Sequence, residues 1–145
     1  MPWSRTARRL VPVIAAGVLV FAACGAQNPS AANDAVMVNR LRAAHAMRTL
    51  PRSLELDQKA QAQAQRMANA GTIFHSTSLT SGVSPGWQMI GENVAVASSI
   101  PTAEAALEAS PPHRENLLNP YYTEMGIGAV QKGSAMFVCQ VFVQR

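Results

Sequence analysis

The chain has 145 residues, of which 48% are apolar, so it is long enough for one domain with one hydrophobic core. Its net charge of +4 would suit nucleic acid, but Arg5, Arg8 and Arg9 supply three of the basic residues, and the other nine face eight acidic ones. No basic patch remains to follow a phosphate backbone, which argues against a nucleic-acid-binding protein.

Residues 1–24 have the composition of an export signal. An arginine-containing start precedes the apolar run Leu10–Ala22, which is too short to favour a membrane-spanning helix. The segment Phe21–Cys24 resembles a bacterial lipobox, whose cysteine is lipidated and becomes the first mature residue, with Phe in place of the usual Leu. We therefore expect an exported lipoprotein held at the cell membrane by Cys24. The alternatives are a secreted protein cleaved just after Ala26 and an uncleaved anchor.

A short linker is predicted between this signal and the folded domain. Small and polar residues at positions 25–32 are typical of a linker that lets a domain stand off a membrane, and the domain is predicted to cover 33–145. Two cysteines in an exported chain also permit a disulfide between Cys24 and Cys139. If Cys24 carries lipid, we expect Cys139 to be a buried, inert thiol, because it lies in the apolar run Met136–Val143.

The first predicted helix is capped by Asn33 or Asp34 and runs to about Arg48. Arg42 is expected to face away from its apolar stripe, and His45 is expected at the edge of that stripe as a partly buried structural residue. The stripe consists of Met37, Val38, Leu41 and Ala44.

The second predicted helix follows a short extended segment that contains Leu54 and Leu56. Asp57 is expected to cap it, and Gly71 is a natural left-handed stop at its far end. Ala and Gln alternate at positions 60–65, but both are strong helix formers, so a helix is favoured over a strand. One face carries mostly small side chains that would let a neighbouring element approach closely: Leu56, Ala60, Ala64, Met67 and Ala68.

A long irregular loop is predicted from Ile73 to Trp87, since its Ser, Thr, Gly and Pro residues show no periodicity. Long loops in small domains are usually functional or mobile, and this one contains His75. Gly91-Glu92-Asn93 follows the loop. Taken alone, Glu92 has the character of a solvated residue in a surface turn.

Two short helices are predicted next. Thr102 caps the first, which runs through Ala109 with Glu104 in its first turn, where the helix dipole favours an acid. The two prolines that follow permit a new helix to begin at His113. A helix N-terminus pushes an imidazole towards its neutral form, so His113 could bind a metal or a proton. The alternative is that His113 merely caps the helix.

The chain closes with a predicted β-hairpin. Its strands are Gly126–Val130 and Met136–Val143, and the turn is Gln131–Ser134. Helices followed by a small terminal sheet predict an α+β layered domain.

Six motifs occur in an order that resembles the bacterial branch of the CAP superfamily, which contains the cysteine-rich secretory proteins, antigen 5 and plant pathogenesis-related protein 1. The resemblance covers residues 33–145. The motifs are Asn39-x-x-Arg42, Leu54-x-x-Asp57, Met67-Ala68-x-x-Gly71-x-x-x-His75-Ser76, Gly91-Glu92-Asn93-Val94-Ala95, Ser110-Pro-Pro-His113-Arg114-x-Asn116-Leu117-Leu118 and Met125-Gly126-Ile127-Gly128-Ala129.

The resemblance implies a three-layer α-β-α sandwich with a central antiparallel sheet. It also implies one cleft that gathers two histidines and two acids, often with a divalent metal on the histidines. His75 and His113 match the histidines, and Glu92 matches the acid of the Gly-Glu-Asn motif. The family's second acid stands three residues after a Trp. Leu107 and Ser110 occupy those two positions here, so the cleft is one acid short.

Three functions are compatible with this resemblance. The first is a non-enzymatic binding module at the cell envelope that takes a small amphipathic molecule such as a lipid, with zinc or another divalent metal on His75 and His113. The second is a metal-dependent hydrolase with Glu92 as general base, a function weakened by Ser110 at the acid position. The third is a non-enzymatic cell-wall interaction protein. We rank the binding module first and the enzyme last, so no catalytic residue is assigned.

Overall fold

The computed structural model describes residues 28–145, and the predicted signal, lipobox and Cys24 lie outside them. Within the described residues, no helix is long and apolar enough to cross a membrane. The elements in chain order are α1 (Pro29–Ala44), α2 (Leu54–Ala70), β1 (Met89–Ala97), α3 (Ile100–Ala109), α4 (Pro111–Leu117), β2 (Glu124–Lys132) and β3 (Ala135–Gln144).

The three strands form an antiparallel sheet in the order β1-β3-β2. The predicted terminal hairpin is confirmed as β2 and β3, and β3 is apolar on both faces because it is central. Helix α2 covers one face of the sheet, while α1, α3 and α4 lie on the other. The predicted α+β architecture with three α-β-α layers is thus confirmed, and β1 forms one edge of its middle layer.

Helix α2 begins earlier than the sequence predicts. Its N-cap is Ser53, so Leu54 and Leu56 belong to the helix. The predictions of an extended segment at these residues and of a helix cap at Asp57 are both wrong. The Asp57 carboxylate instead accepts hydrogen bonds from Arg52 and from the backbone N–H of Ile127. Asp57 therefore links α2 to β2 and does not cap the helix.

The apolar face of α2 is buried as predicted, and Gly71 ends the helix with φ 71°. Two glycines of β2 make the close approach possible. A Cβ added at Gly126 would lie 2.0 Å from the backbone carbon of Leu56, and one at Gly128 would lie 2.2 Å from that of Ala60. The backbones of the sheet and the helix approach closely because the two glycines of β2 have no side chain at these points.

Helix α1 also differs from its prediction. Asn28 caps it and Pro29 occupies its first turn, so the predicted linker at 25–32 is helical from residue 29 onward. Arg42 is fully buried, where its guanidinium donates to the carbonyls of Leu117 and Asn119. The expectation that Arg42 faces away from the core is wrong, because those carbonyls give a buried guanidinium its partners.

His45 is exposed at the C-terminal end of α1, which corrects its prediction as a partly buried residue. Its Nδ1 lies 2.9 Å from the carbonyl oxygen of Leu41, and its Nε2 lies 3.0 Å from the guanidinium of Arg114. The exposed position follows from the end of the helix at Ala44.

Helix α3 is capped by Ser99, whose hydroxyl accepts from the backbone N–H of Thr102, so Thr102 is not the cap. Glu104 is fully buried. The prediction placed it in the first turn for its interaction with the helix dipole, but a core hydrogen bond to Gln140 holds it instead.

Candidate functional site

The candidate cleft, defined by His75, Glu92, Ser110 and His113, lies along β1 at the edge of the sheet. Glu92 and Asn93 are adjacent in β1 and face opposite sides of the sheet, opposite Val141 and Gln140 of β3. His75 follows α2 on one side, and His113 belongs to α4 on the other. The edge strand is therefore where residues from the two helical layers can meet.

Glu92 is a buried anchor, and its burial corrects the surface-turn interpretation. Its side chain is only 2% exposed, and it accepts from His75 Nδ1 at 2.9 Å and from the backbone N–H of Ser76 at 2.8 Å. The Ser76 hydroxyl donates to its other oxygen, which lies 3.7 Å from the Cys139 sulfur. Both carboxylate oxygens are thus occupied, so Glu92 positions its neighbours.

Cys139 is buried as predicted, and it is a free thiol in the described part of the chain. Burial raises the pKa of the Cys139 thiol well above its ordinary value, and the adjacent Glu92 carboxylate raises it further. Because only the thiolate is reactive, Cys139 is inert.

His75 projects from the loop with its side chain 61% exposed. Its Nδ1 faces the Glu92 carboxylate, which can only accept, so the proton lies on Nδ1. In the neutral imidazole this leaves the Nε2 lone pair free, and Nε2 has no hydrogen-bond partner within residues 28–145. A carboxylate behind an imidazole is the arrangement that commonly orients a metal-binding histidine.

His113 lies in the first turn of α4, close to the predicted helix start. The Ser110 hydroxyl is 2.8 Å from its Nδ1 and makes no capping hydrogen bond to the helix. Partial burial lowers the pKa of His113, and the charge of His75 lowers it further. The lowered pKa favours a neutral imidazole at His113.

Ser110 contacts His113 at the position of the family's second acid. A carboxylate there could only accept, whereas the serine hydroxyl can donate or accept, so it does not fix which nitrogen of His113 carries the proton. Among the described residues, Glu108 and Glu115 make no hydrogen bond to either histidine. Neither of these two acids therefore replaces the missing one.

A buried polar network behind the cleft was not predicted. The Asn93 amide donates to the backbone carbonyl of His113 at 3.1 Å and to Gln140 at 3.2 Å. Gln140 in turn donates to Asp34 and to Glu104. These side chains are fully buried and hold the first turn of α4 against the sheet. The available sequence signal was Gln140 itself, a polar residue within an apolar strand.

Asp34 and Glu104 are two buried carboxyls in contact. Burial and, second to it, the charge of Asp34 raise the pKa of Glu104 to about 10. Burial also raises the pKa of Asp34. Glu104 therefore holds a proton at neutral pH. One of its oxygens has no hydrogen-bond partner among residues 28–145, and a proton shared with Asp34 would satisfy it.

The two histidines supply only part of the ligand set that a divalent metal requires. Within residues 28–145, no group of three or more His, Cys, Asp or Glu side chains could hold a metal ion. The oxygens of Glu92 are taken by His75 and Ser76, so this carboxylate is a support for the site and does not serve as a third ligand. Zinc held by two imidazoles would leave two tetrahedral positions for water or a ligand.

A sequence model of the cysteine-rich secretory protein family, CAP, matches residues 36–144. No curated protein sequence matches the chain.

Solved structures share the fold. An extracellular protein with an SCP domain from Bacillus anthracis is similar with a TM-score of 0.72 and 26% identity over 81% of this chain, which spans 41% of that protein. A cysteine-rich secretory protein from Staphylococcus aureus is similar with a TM-score of 0.68 and 23% identity, and the match covers 83% of this chain and 41% of that protein. An outer surface protein from Borrelia burgdorferi is similar with a TM-score of 0.74 and 18% identity, and the match covers 81% of this chain and 94% of that protein. The first two proteins are more than twice as long as the matched region.

Proposed function

Since the chain belongs to the cysteine-rich secretory protein family, CAP, we propose that it is an exported binding module for a small amphipathic ligand. The ligand's polar end would lie at His75 and His113, which would also hold a divalent metal such as zinc. The observation that carries this proposal is the set of hydrogen bonds made by Glu92. Both of its carboxylate oxygens accept hydrogen bonds from His75 or Ser76, while Nε2 of the His75 imidazole is free. The cleft thus presents oriented donors and acceptors without a free carboxylate.

An amphipathic ligand is supported by apolar surface beside the histidines. Ile73 and Phe74 immediately precede His75 and are 42% and 37% exposed, although large apolar side chains usually avoid water. Next to α4, a groove of about 610 Å³ is lined by Met89, Leu118 and Tyr121 among others. A ligand with an apolar body and one polar group would use both kinds of surface.

A zinc ion is supported by the chemistry of the two imidazoles. Neutral imidazole is a good zinc ligand, and His113 has a lowered pKa. When bound, the metal would supply Lewis-acid attraction for a polar ligand group. Glu92 holds His75 in one tautomer, and Ser110 contacts the corresponding nitrogen of His113.

A hydrolase is the weaker alternative. Hydrolysis normally uses both an acid and a base near the substrate. Ser110 stands at the position of one acid, and Glu92 is buried with its oxygens occupied. No feature of residues 28–145 described above favours catalysis over binding.

Export is supported by the extracellular and outer-surface descriptions of the structural relatives. We propose that the protein is anchored in the cell membrane through lipid on Cys24, on the basis of the lipobox-like segment. The apolar residues before Cys24 would then be removed during maturation.

The test of the ligand is native mass spectrometry of the protein purified from its own envelope. We expect a copurified lipid-like molecule, a metal ion and an N-terminal lipid to appear as separate mass increments. A protein without any bound molecule would contradict the binding module, while the mass of the N-terminal peptide tests the anchor independently.

The metal site is tested by calorimetric zinc titration of the full-length protein. His75→Ala and His113→Ala should each lower zinc affinity sharply, with little further loss in the double variant, because shared coordination is non-additive. His45→Ala is the control, since His45 lies at the exposed end of α1. Equal, independent losses for all three histidines, or no zinc binding by the unmodified protein, would contradict the site.

A further inference from the structure

A second concave site lies between α2 and the loop that follows it, and it shares only Ser76 with the surroundings of the cleft. Its volume is about 490 Å³. Its lining includes one acid, Glu55, together with the polar and cationic residues Lys59, Arg66, Ser76, Thr77, Ser78 and Ser81. We call it the α2 pocket.

Two cations line the α2 pocket. Lys59 and Arg66 are seven residues apart, or about two helical turns, so they lie on the same side of α2. Lys59 Nζ donates to the carbonyls of Ser78 at 3.1 Å and Ser81 at 2.8 Å, which leaves one of its three hydrogens available. Arg66 uses Nε and Nη2 on the Gln63 amide oxygen, and its Nη1 is available.

Neither cation is paired with a carboxylate within the described residues. The nearby acids are already engaged. Glu55 accepts from Ser84 and from Arg145, and Glu92 accepts from His75 and Ser76. Partial burial lowers the pKa of Lys59, and the charge of the Glu92 carboxylate offsets only part of that decrease. The pocket therefore holds the partly desolvated ammonium of Lys59 and the exposed guanidinium of Arg66, and neither forms an ion pair within the described residues.

The loop adds neutral hydrogen-bonding groups. The hydroxyls of Thr77, Ser78 and Ser81 have no side-chain hydrogen-bond partner in residues 28–145, and they line the same pocket. Hydroxyls can donate to an anion, and a guanidinium matches the geometry of a phosphate oxygen pair. The combination of two cations and several hydroxyls suits an oxyanion better than an apolar or cationic molecule.

We propose that the α2 pocket binds the phosphate group of a small, soluble phosphate compound, at a site separate from the amphipathic ligand of the cleft. Lys59 and Arg66 supply its counter-charge, and the loop hydroxyls complete its hydrogen bonds. The pocket volume exceeds that of a bare ion, which favours a phosphate ester over inorganic phosphate. This inference does not depend on the proposed function of the cleft.

The test is a titration of the full-length protein followed by ¹H–¹⁵N NMR, with inorganic phosphate, glycerol 3-phosphate and uncharged glycerol as probes at matched ionic strength. We expect saturable shifts of the backbone amides of residues 76–82 with both phosphate probes and none with glycerol. Tighter binding of glycerol 3-phosphate assigns an ester, and tighter binding of inorganic phosphate assigns the free ion. Absence of saturation at about 10 mM, a millimolar affinity being the weakest that a specific site would show, would overturn the proposal.

Variants separate a specific site from general charge. Arg66→Gln should weaken phosphate binding at least about tenfold, the loss expected for one charge-assisted hydrogen bond, while Arg66→Lys should retain most of it. Arg66 is exposed and its hydrogen bonds are local to α2, so Arg66→Gln is expected to fold.

Lys132→Gln is the matched control, because Lys132 also donates to two backbone carbonyls, those of Ala68 and Asn69, but lies outside the pocket lining. Its phosphate affinity should equal that of the unmodified protein. Unchanged binding by Arg66→Gln, or an equal loss in Lys132→Gln, would contradict the site.

Discussion

At the scale of single residues, the cleft depends on what lies behind each imidazole. The buried Glu92 holds His75 through Nδ1, and the neutral Ser110 contacts His113 in the corresponding place. Motif order identified both histidines and Glu92, but it could not show that Glu92 is enclosed by donors from a loop 16 residues earlier. Whether a carboxylate is a base or an anchor depends on its neighbours in space.

Stability should depend on pH through the buried pair Asp34 and Glu104. The pKa of Glu104 is raised from 4.5 to about 10, so the folded state keeps a proton that the unfolded state releases. The contribution is fully present below about pH 4.5 and is lost as pH rises towards the folded pKa, with a slope of up to about 1.4 kcal/mol per pH unit. We therefore expect the free energy of unfolding to fall between pH 5 and pH 9.

Glu104→Gln provides the comparison, because its amide can still donate to Asp34 without a titrating proton. Chemical denaturation at about pH 5, 7 and 9 should give a flatter profile for this variant. The lowered pKa of His113 acts in the opposite direction, since its neutral form is favoured in the folded state and stability is lost on acidification. Parallel profiles for the two proteins would show that Glu104 is not the group responsible.

At the scale of elements, the contact between α2 and β2 holds one side of the cleft in place. The helix presents Ala60 and the strand presents Gly128, so their backbones touch without intervening side chains. The loop that carries His75 starts directly after α2, and its position therefore follows from this contact. The sequence predicted the small face of the helix correctly, but it did not identify the strand as its partner.

Gly128→Ala should destabilise the fold, because the added Cβ would lie 2.2–2.3 Å from backbone atoms of Ala60 and Gln61, which cannot rotate away. Overpacking of this kind costs about 1–3 kcal/mol and sometimes more. Thermal or chemical unfolding would measure the loss.

The control for this substitution is Gly133→Asn in the hairpin turn, where φ is +59° and the added Cβ meets no atom within 4 Å. Asn tolerates that backbone conformation, so the cost should stay below about 1 kcal/mol. An equal loss in the two variants would show that backbone contact with α2 is not the cause.

At the scale of the whole molecule, the residues of the candidate cleft come from two helical layers that meet at an edge of the sheet. α2 and its loop supply His75 from one side, and α4 supplies His113 from the other. At an edge strand, residues from the two faces of a sheet can meet around its open side. In the described sheet, β1 is such a strand, because it pairs only with β3. The proposed attachment of this domain to the cell depends separately on the N-terminal segment.

Lipidation is tested by Cys24→Ala, which should release the protein from membranes into the medium, as followed by fractionation and immunoblotting. Cys139→Ala is the control, because Cys139 is buried and its loss should leave the protein at the membrane. A Cys24→Ala protein that fractionates with membranes as before would contradict lipidation at Cys24.

The sequence by itself determined those features whose cause is local. Apolar spacing and a left-handed glycine defined the buried face and the end of α2, and turn chemistry placed the hairpin. These signals are contained within short segments, so they do not require knowledge of the partner. The selection of His75, Glu92 and His113 rests instead on the resemblance to the CAP family, because these residues are dispersed along the chain.

Only the tertiary structure decided that the side chains of Asp34, Arg42 and Glu104 are buried. Each has a local interpretation as a cap, a solvated charge or a dipole partner, yet each is fully buried. The groups that make burial possible are distant in sequence: Gln140 is 106 residues from Asp34, and Leu117 is 75 residues from Arg42. Burial of a polar group is stable only when its partners are in place, and those partners come together only when the chain has folded.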